Sequence, residues 1–138
     1  MDSLIFDTTF LIDFQRERKI GAGRAHEFLR QNPDLLALLP VVAWAEFAEG
    51  FASHSDPIFL SVVSSFEILA VTVQVASIYA ALARKLREGG NLIGTNDLWI
   101  ASIALNRKCP LVTRNVEHFA RIPGLHLRSY QSQWLREV

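Results

Sequence analysis

The sequence predicts an α/β fold: a single domain in which helices alternate with short buried strands around a mainly parallel, five-stranded sheet. Three observations carry this. Short apolar runs recur at residues 4–6, 35–39, 66–71, 111–113 and 125–127, too brief for helices and suited to strands covered on both faces. Between them lie segments with apolar residues at helical spacing, clearest at Val75, Ile78, Tyr79, Leu82 and Leu86. The 138 residues, half of them apolar and a fifth charged, suffice for one core and are too few for two comfortable domains.

The chain opens on the strand Leu4, Ile5, Phe6, which stops abruptly at Asp7. An acid there lies in the crevice beyond the carboxyl ends of the strands, where open α/β sheets gather ligand groups. Thr8 and Thr9 are expected to cap the next helix, with Phe10, Leu11 and Phe14 on its apolar side. A simple capping role for Asp7 is the alternative, and Asp13 reads as a solvated or supporting group. Residues 16–19 form charged surface, Gly21 and Gly23 break the pattern, and a helix over 24–31 ends at Asn32 and Pro33. After strand 35–39, Pro40 opens a small-residue helix over 41–50 that carries Glu46. A helical piece over 55–64 leads to strand 66–71, and Thr72 caps a long amphipathic helix over 73–87 that Gly89 and Gly90 close. Residues 92–97 form a loop delivering Asp97 into a helix over 98–106. Strand 111–113, a helical turn over 115–119 and strand 125–127 complete the pattern.

Fourteen Lys and Arg balance fourteen Asp and Glu, so the global basic excess of many nucleic-acid binders is missing. Carboxylates gathered in one site can nevertheless offset a basic rim around it. Arg84, Lys85, Arg87, Arg107, Lys108, Arg114 and Arg121 make the second half locally basic, either as such a rim or as solvated helix faces. Cys109 is the only cysteine, which excludes an intrachain disulfide and a cysteine zinc cluster. Asp2 stands where a signal peptide needs positive charge, and no apolar run approaches the roughly 18 residues of a membrane span, so a cytoplasmic protein with no membrane partner is expected. His26, His54, His118 and His126 lack metal-ligand spacing; His118 lies near the candidate acids, where it either touches a phosphate or stands on a helix-turn surface, the latter being expected. Gly89, Gly90 and Gly94 do not make a phosphate loop, and no serine sits in a nucleophile-elbow pattern. Trp44, Phe47, Phe51 and Phe59 are many large groups for short helices to bury, so part of that surface is expected to be an interface, and Trp134 adds a candidate exposed aromatic.

Asp7, Glu46 and Asp97 share one property: each is set among apolar or small residues. A buried carboxylate needs a base, backbone donors or a cation. If the three converge within about 4 Å, repulsion at an effective dielectric of ~20 costs roughly 4 kcal/mol per pair, which a divalent cation relieves. Oxygen ligands without clustered Cys or His favour magnesium or manganese over zinc. Asn115, beyond strand 111–113, offers an amide oxygen to a metal or its water, or else caps the turn that follows. Thr8, Thr95, Asn96 and Thr113 are candidates for holding carboxylates or water in place.

Four segments together resemble the successive signatures of PIN-domain ribonucleases, and more narrowly the VapC-type toxins of bacterial toxin–antitoxin pairs. They are Phe6-Asp7-Thr8-Thr9-Phe10-Leu11-Ile12-Asp13, the helix bearing Glu46, Thr95-Asn96-Asp97-Leu98-Trp99-Ile100-Ala101, and Val112-Thr113-Arg114-Asn115-Val116-Glu117-His118-Phe119. By position, Asp7, Glu46 and Asp97 match the three family acids, and Asn115 falls where many members carry a fourth acid and others Asn. The resemblance implies a Rossmann-like sheet in the order 3-2-1-4-5 and catalysis with magnesium or manganese held by Asp7, Glu46, Asp97 and Asn115. It further implies hydrolysis of RNA phosphodiesters, a homodimer, and a cognate antitoxin that binds and inhibits. Two rivals stand beside it: a metal-dependent phosphoryl hydrolase acting on DNA or small phosphate esters, and a non-catalytic α/β protein-interaction module.

Overall fold

A computed structural model describes residues 2–131. Its strands are β1 (Ser3–Phe6), β2 (Leu36–Pro40), β3 (Glu67–Leu69), β4 (Leu111–Val112) and β5 (Leu127–Arg128). They form one sheet in the order β3-β2-β1-β4-β5, and every pairing is parallel. The helices are α1 (Thr8–Glu17), α2 (Arg24–Gln31), α3 (Val41–Ala48), α4 (Pro57–Val63), α5 (Val73–Glu88), α6 (Thr95–Arg107) and α7 (Val116–Phe119).

Strand β1 is central because both of its faces are apolar. Successive side chains of a strand point to opposite faces. Ile5 accordingly enters one core with Leu38, Phe47, Phe59, Ile100 and Leu111, while Leu4 and Phe6 enter another with Phe10, Phe28, Val112 and Tyr130. The second core is largely aromatic. Phe6 meets Phe10 at 4.6 Å between ring centres, and Tyr130 packs edge-on against Phe10 at 4.9 Å.

Several sequence expectations are corrected in detail. Asp7, and not Thr8 or Thr9, caps α1, its carboxylate accepting from the Phe10 N–H at 3.2 Å. Helix α6 starts at Thr95, so Asp97 sits in its first turn, where a carboxylate meets the positive end of the helix dipole. The cap there is Gly94, which has no side chain to announce it. Strand β3 is shorter than residues 66–71 because it lies at the sheet edge and only Glu67 to Leu69 find partners, on Leu38 to Pro40. Strand β5 falls later than 125–127 because its register sets Leu127 opposite Leu111 and Arg128 opposite Val112. Of the four aromatic groups on and around α3 and α4, Phe47 and Phe59 are buried, while Trp44 and Phe51 are half-buried and pack on Phe59 with ring centres 5.2 and 5.3 Å away. Further apolar exposure is found at Ile58 and Leu60 on α4, Ile68 on β3, and Val71 and Val73. Trp134 lies outside the described residues. Among those residues no helix is long and apolar enough to cross a membrane.

Candidate active site

The chain lays β2 and β3 on one side of β1 and β4 and β5 on the other, so its winding reverses at β1. A crevice opens beyond the strand ends at such a reversal. Asp7 follows β1, Glu46 lies on the helix after β2, Asn115 follows β4, and Asp97 opens the helix that precedes β4.

Asp7 is 2% exposed. Its Oδ1 accepts from the Thr9 hydroxyl at 2.6 Å and the Phe10 N–H at 3.2 Å, and its Oδ2 accepts from the Thr113 hydroxyl at 2.5 Å. Three of the roughly four acceptor positions of a carboxylate are thus used. Burial raises its pKa from the ordinary 3.8 to about 6; the three hydrogen bonds pull the other way, and the charge of Asp97 adds to the rise. Thr113, itself fully buried, also accepts from the Asn115 N–H at 2.9 Å, which links the turn after β4 directly to Asp7.

Glu46 is half-buried and accepts from the Thr8 hydroxyl at 2.6 Å and the Asn96 amide at 3.2 Å. Asp97 is also half-buried, with Oδ2 3.0 Å from His118 Nε2. Burial raises its pKa and the Glu46 charge adds to this, while His118 acts in the opposite direction. Asn115 occupies the cap position of α7, yet its side chain makes no capping hydrogen bond. A cleft of about 590 Å³ opens against Asn115 and His118, with Arg114, Glu117, Ser129 and Gln131 on its walls.

The donor set consists of carboxylate and amide oxygens, which suit a hard divalent cation. The Asp97 charge acts on Asp7 and the Glu46 charge on Asp97, the repulsion that such an ion offsets. The acids are tied to separate partners, however, and among the described residues no three His, Cys, Asp or Glu side chains lie close enough to share one ion.

Of the supporting residues expected from the sequence, Thr8, Asn96 and Thr113 each hold a carboxylate, whereas Thr95 is exposed at the start of α6. Burial was expected for all three acids and is found for Asp7 alone. Two contacts go beyond the sequence expectations: Thr9 holds Asp7 instead of capping the helix, and His118, expected near the acids, pairs with Asp97 itself. The signal for His118 is its spacing, since residues three apart in a helical turn share a face and Asn115 precedes it by three.

Comparison with known proteins agrees with this geometry. The PIN domain model matches residues 4–125. Ribonuclease VapC1 of Haemophilus influenzae (strain R2866) is 30% identical over 91% of this chain and 96% of its own length. Ribonuclease VapC1 of Methanocaldococcus jannaschii is 27% identical over 92% of this chain and 86% of its own. Among solved structures, VapBC2 from Rickettsia felis bound to a promoter DNA fragment has a TM-score of 0.79 at 25% identity, covering 92% of this chain and 98% of that one. VapBC-1 from nontypeable Haemophilus influenzae has a TM-score of 0.75 at 28% identity, covering 93% and 98%. With a buried acid at the end of its central strand and a family match over most of its length, the chain belongs to the PIN-domain family and is related within it to the VapC-type ribonucleases.

Proposed function

We propose that this protein is a magnesium- or manganese-dependent endoribonuclease, the toxin of a type II toxin–antitoxin pair, held inactive by a cognate antitoxin. The observation that carries the reading is the buried Asp7 at the end of β1, where Thr113 ties it to the end of β4 and the neighbouring Thr8 ties α1 to Glu46, at the winding reversal of the sheet. Relatives named ribonucleases support the choice of chemistry, and solved VapBC complexes support a protein partner.

In this reading Asp7, Glu46 and Asp97 would hold the cation, and the Asn115 amide oxygen would complete the set or orient a water beside it. A bound divalent cation supplies Lewis-acid polarisation and offsets charge developing on the phosphoryl oxygens during in-line displacement. The chain supplies orientation: Thr9 and Thr113 fix Asp7, Thr8 and Asn96 fix Glu46, and His118 fixes Asp97. No side chain needs to act as a covalent nucleophile. The protein works in the cytoplasm as a homodimer, and sedimentation over a wide concentration range tests the assembly; a strictly monomeric mass at all concentrations removes the dimer.

The function is tested with antitoxin-free protein on single-stranded RNA, structured RNA and DNA, each with manganese, with magnesium and with EDTA. Cleavage of RNA that requires the cation and is suppressed by the reconstituted antitoxin is expected. Cleavage of DNA in preference to RNA selects the other phosphoryl hydrolase. Tight binding of the partner with neither cation binding nor cleavage selects the interaction module.

A further inference from the structure

Arg114 stands between the Thr113 that holds Asp7 and the candidate ligand Asn115; its N–H lies 3.5 Å from the Thr9 hydroxyl that also holds Asp7, and its guanidinium is aimed by a bracket of Asp13 and Tyr130. Its Nη1 donates to Asp13 Oδ1 at 2.8 Å, where the Asp13 side chain is 13% exposed and that of Arg114 37%. Asp13 Oδ2 accepts from the Tyr130 hydroxyl at 2.5 Å, and Tyr130 is itself buried against Phe10. Burial, with the Asp13 carboxylate beside it, raises the pKa of that phenol and keeps it a donor. The bracket therefore joins α1, the turn after β4 and the segment after β5. It holds a flat guanidinium, five donors of which Asp13 engages one, on the wall of the 590 Å³ cleft beside Asn115 and His118. An ion pair whose cation is open to solvent adds little stability by itself. What it does is fix the direction of a cation on the cleft wall, next to the turn that holds Asp7, in a chain with no net charge to attract a polyanionic strand.

We propose that Arg114 binds a backbone phosphate of the RNA strand flanking the one hydrolysed, and that Asp13 and Tyr130 are positioning residues that aim its guanidinium into the cleft. This rests on the ribonuclease reading above. A guanidinium fork matches two phosphate oxygens at once, which an ammonium does not.

The test is steady-state cleavage of a labelled single-stranded RNA with manganese, together with fluorescence anisotropy of the same RNA in EDTA across a salt series. Arg114→Gln should raise KM and weaken binding about tenfold, the worth of one charge-assisted contact, with kcat within about twofold. It should also flatten the dependence of log affinity on log salt by about 0.7, one phosphate contact on a single strand. Arg114→Lys should restore the salt slope and only part of the affinity. Asp13→Asn and Tyr130→Phe should raise KM about threefold, on the order of half a hydrogen bond's worth, with the salt slope retained. Asp13→Asn is the sharpest arm, because removing a negative charge strengthens RNA binding if only bulk electrostatics act and weakens it if Asp13 aims Arg114. Arg18→Gln, on the charged surface at the far end of α1, makes the same charge change and should match wild type. The inference is overturned if wild type cleaves RNA while Arg114→Gln binds and cleaves like Arg18→Gln. It is equally overturned if Asp13→Asn binds more tightly, or if Arg114→Gln lowers Tm and leaves KM unchanged. Wild type that neither binds nor cleaves RNA defeats the ribonuclease reading itself, and this inference with it.

Discussion

Asp7 and Asp97 both stand at the carboxyl edge of the sheet, yet the protein holds them in different ways. Asp7 is sealed in and receives donors from the start of α1 and the end of β4, so the strand pair at the centre of the fold fixes it. Asp97 is half-exposed and leans on one partner, His118, and Glu46 likewise depends on Thr8 and an exposed Asn96. One acid is therefore set by the core, and two reach toward it from helices through contacts that a ligand can exchange at little cost. Such a site can gather around a charged ligand without repacking the domain.

The largest effects should come from the acids themselves, and they should separate the two regions. Asp7→Asn and Asp97→Asn are each expected to lower RNA cleavage on the order of 10³-fold, as loss of a principal electrostatic element does. Their stabilities should diverge. Because the folded pKa of Asp7 is raised from 3.8 to about 6, stability is fully present below pH 3.8 and is lost as pH rises through 6. The loss is on the order of 3 kcal/mol for a shift of about two units. Asn still caps a helix and carries no charge, so Asp7→Asn should lack this slope and be more stable than wild type at pH 7.5. Urea unfolding in EDTA between pH 4.5 and 7.5 measures it; parallel curves for the two proteins would show that burial of Asp7 costs nothing.

Next come the supporting residues. Thr113→Val and His118→Ala should each cost about 10- to 100-fold in metal affinity or activity, the usual range for groups that orient ligands. The two should differ in stability, with Thr113→Val losing about 1–3 kcal/mol because a buried carboxylate loses a donor. His118→Ala should lose less than about 1 kcal/mol, since its contact with Asp97 is half-exposed. Equal destabilisation by both, in thermal or urea unfolding, would erase the distinction between a fixed and an adjustable acid.

The smallest expected change is at Asn115. Asn115→Ala should reduce cleavage less than about tenfold, the low end for a water-orienting group. Asn115→Asp should tighten manganese binding in a calorimetric titration. Unfolding of Asn115→Asp instead would assign the residue to the turn.

How legible all this is in the sequence depends on which interaction decides each point. The order of elements is readable because burial on two faces leaves continuous apolar runs at Leu4 to Phe6 and Leu111 to Val112. Asp7 is readable because it ends such a run. The edges of β3 and β5 are not, because pairing register with a distant strand sets them. The start of α6 is hidden because its cap is a glycine. The Asp13–Arg114–Tyr130 bracket joins Asp13 to residues about a hundred positions away, and only the assembled sheet brings them together. The packing of Trp44 and Phe51 onto Phe59 likewise depends on how α3 meets α4, which helical spacing within either segment does not specify.

The central claim is that Asp7, Glu46 and Asp97 act together on a divalent cation. Calorimetric titration of the isolated chain with manganese and with magnesium tests it most directly. At least one cation should bind wild type and fail to bind Asp7→Asn and Asp97→Asn, with the far-ultraviolet circular dichroism of all three unchanged. No binding by wild type, or undiminished binding by either folded variant, would contradict it.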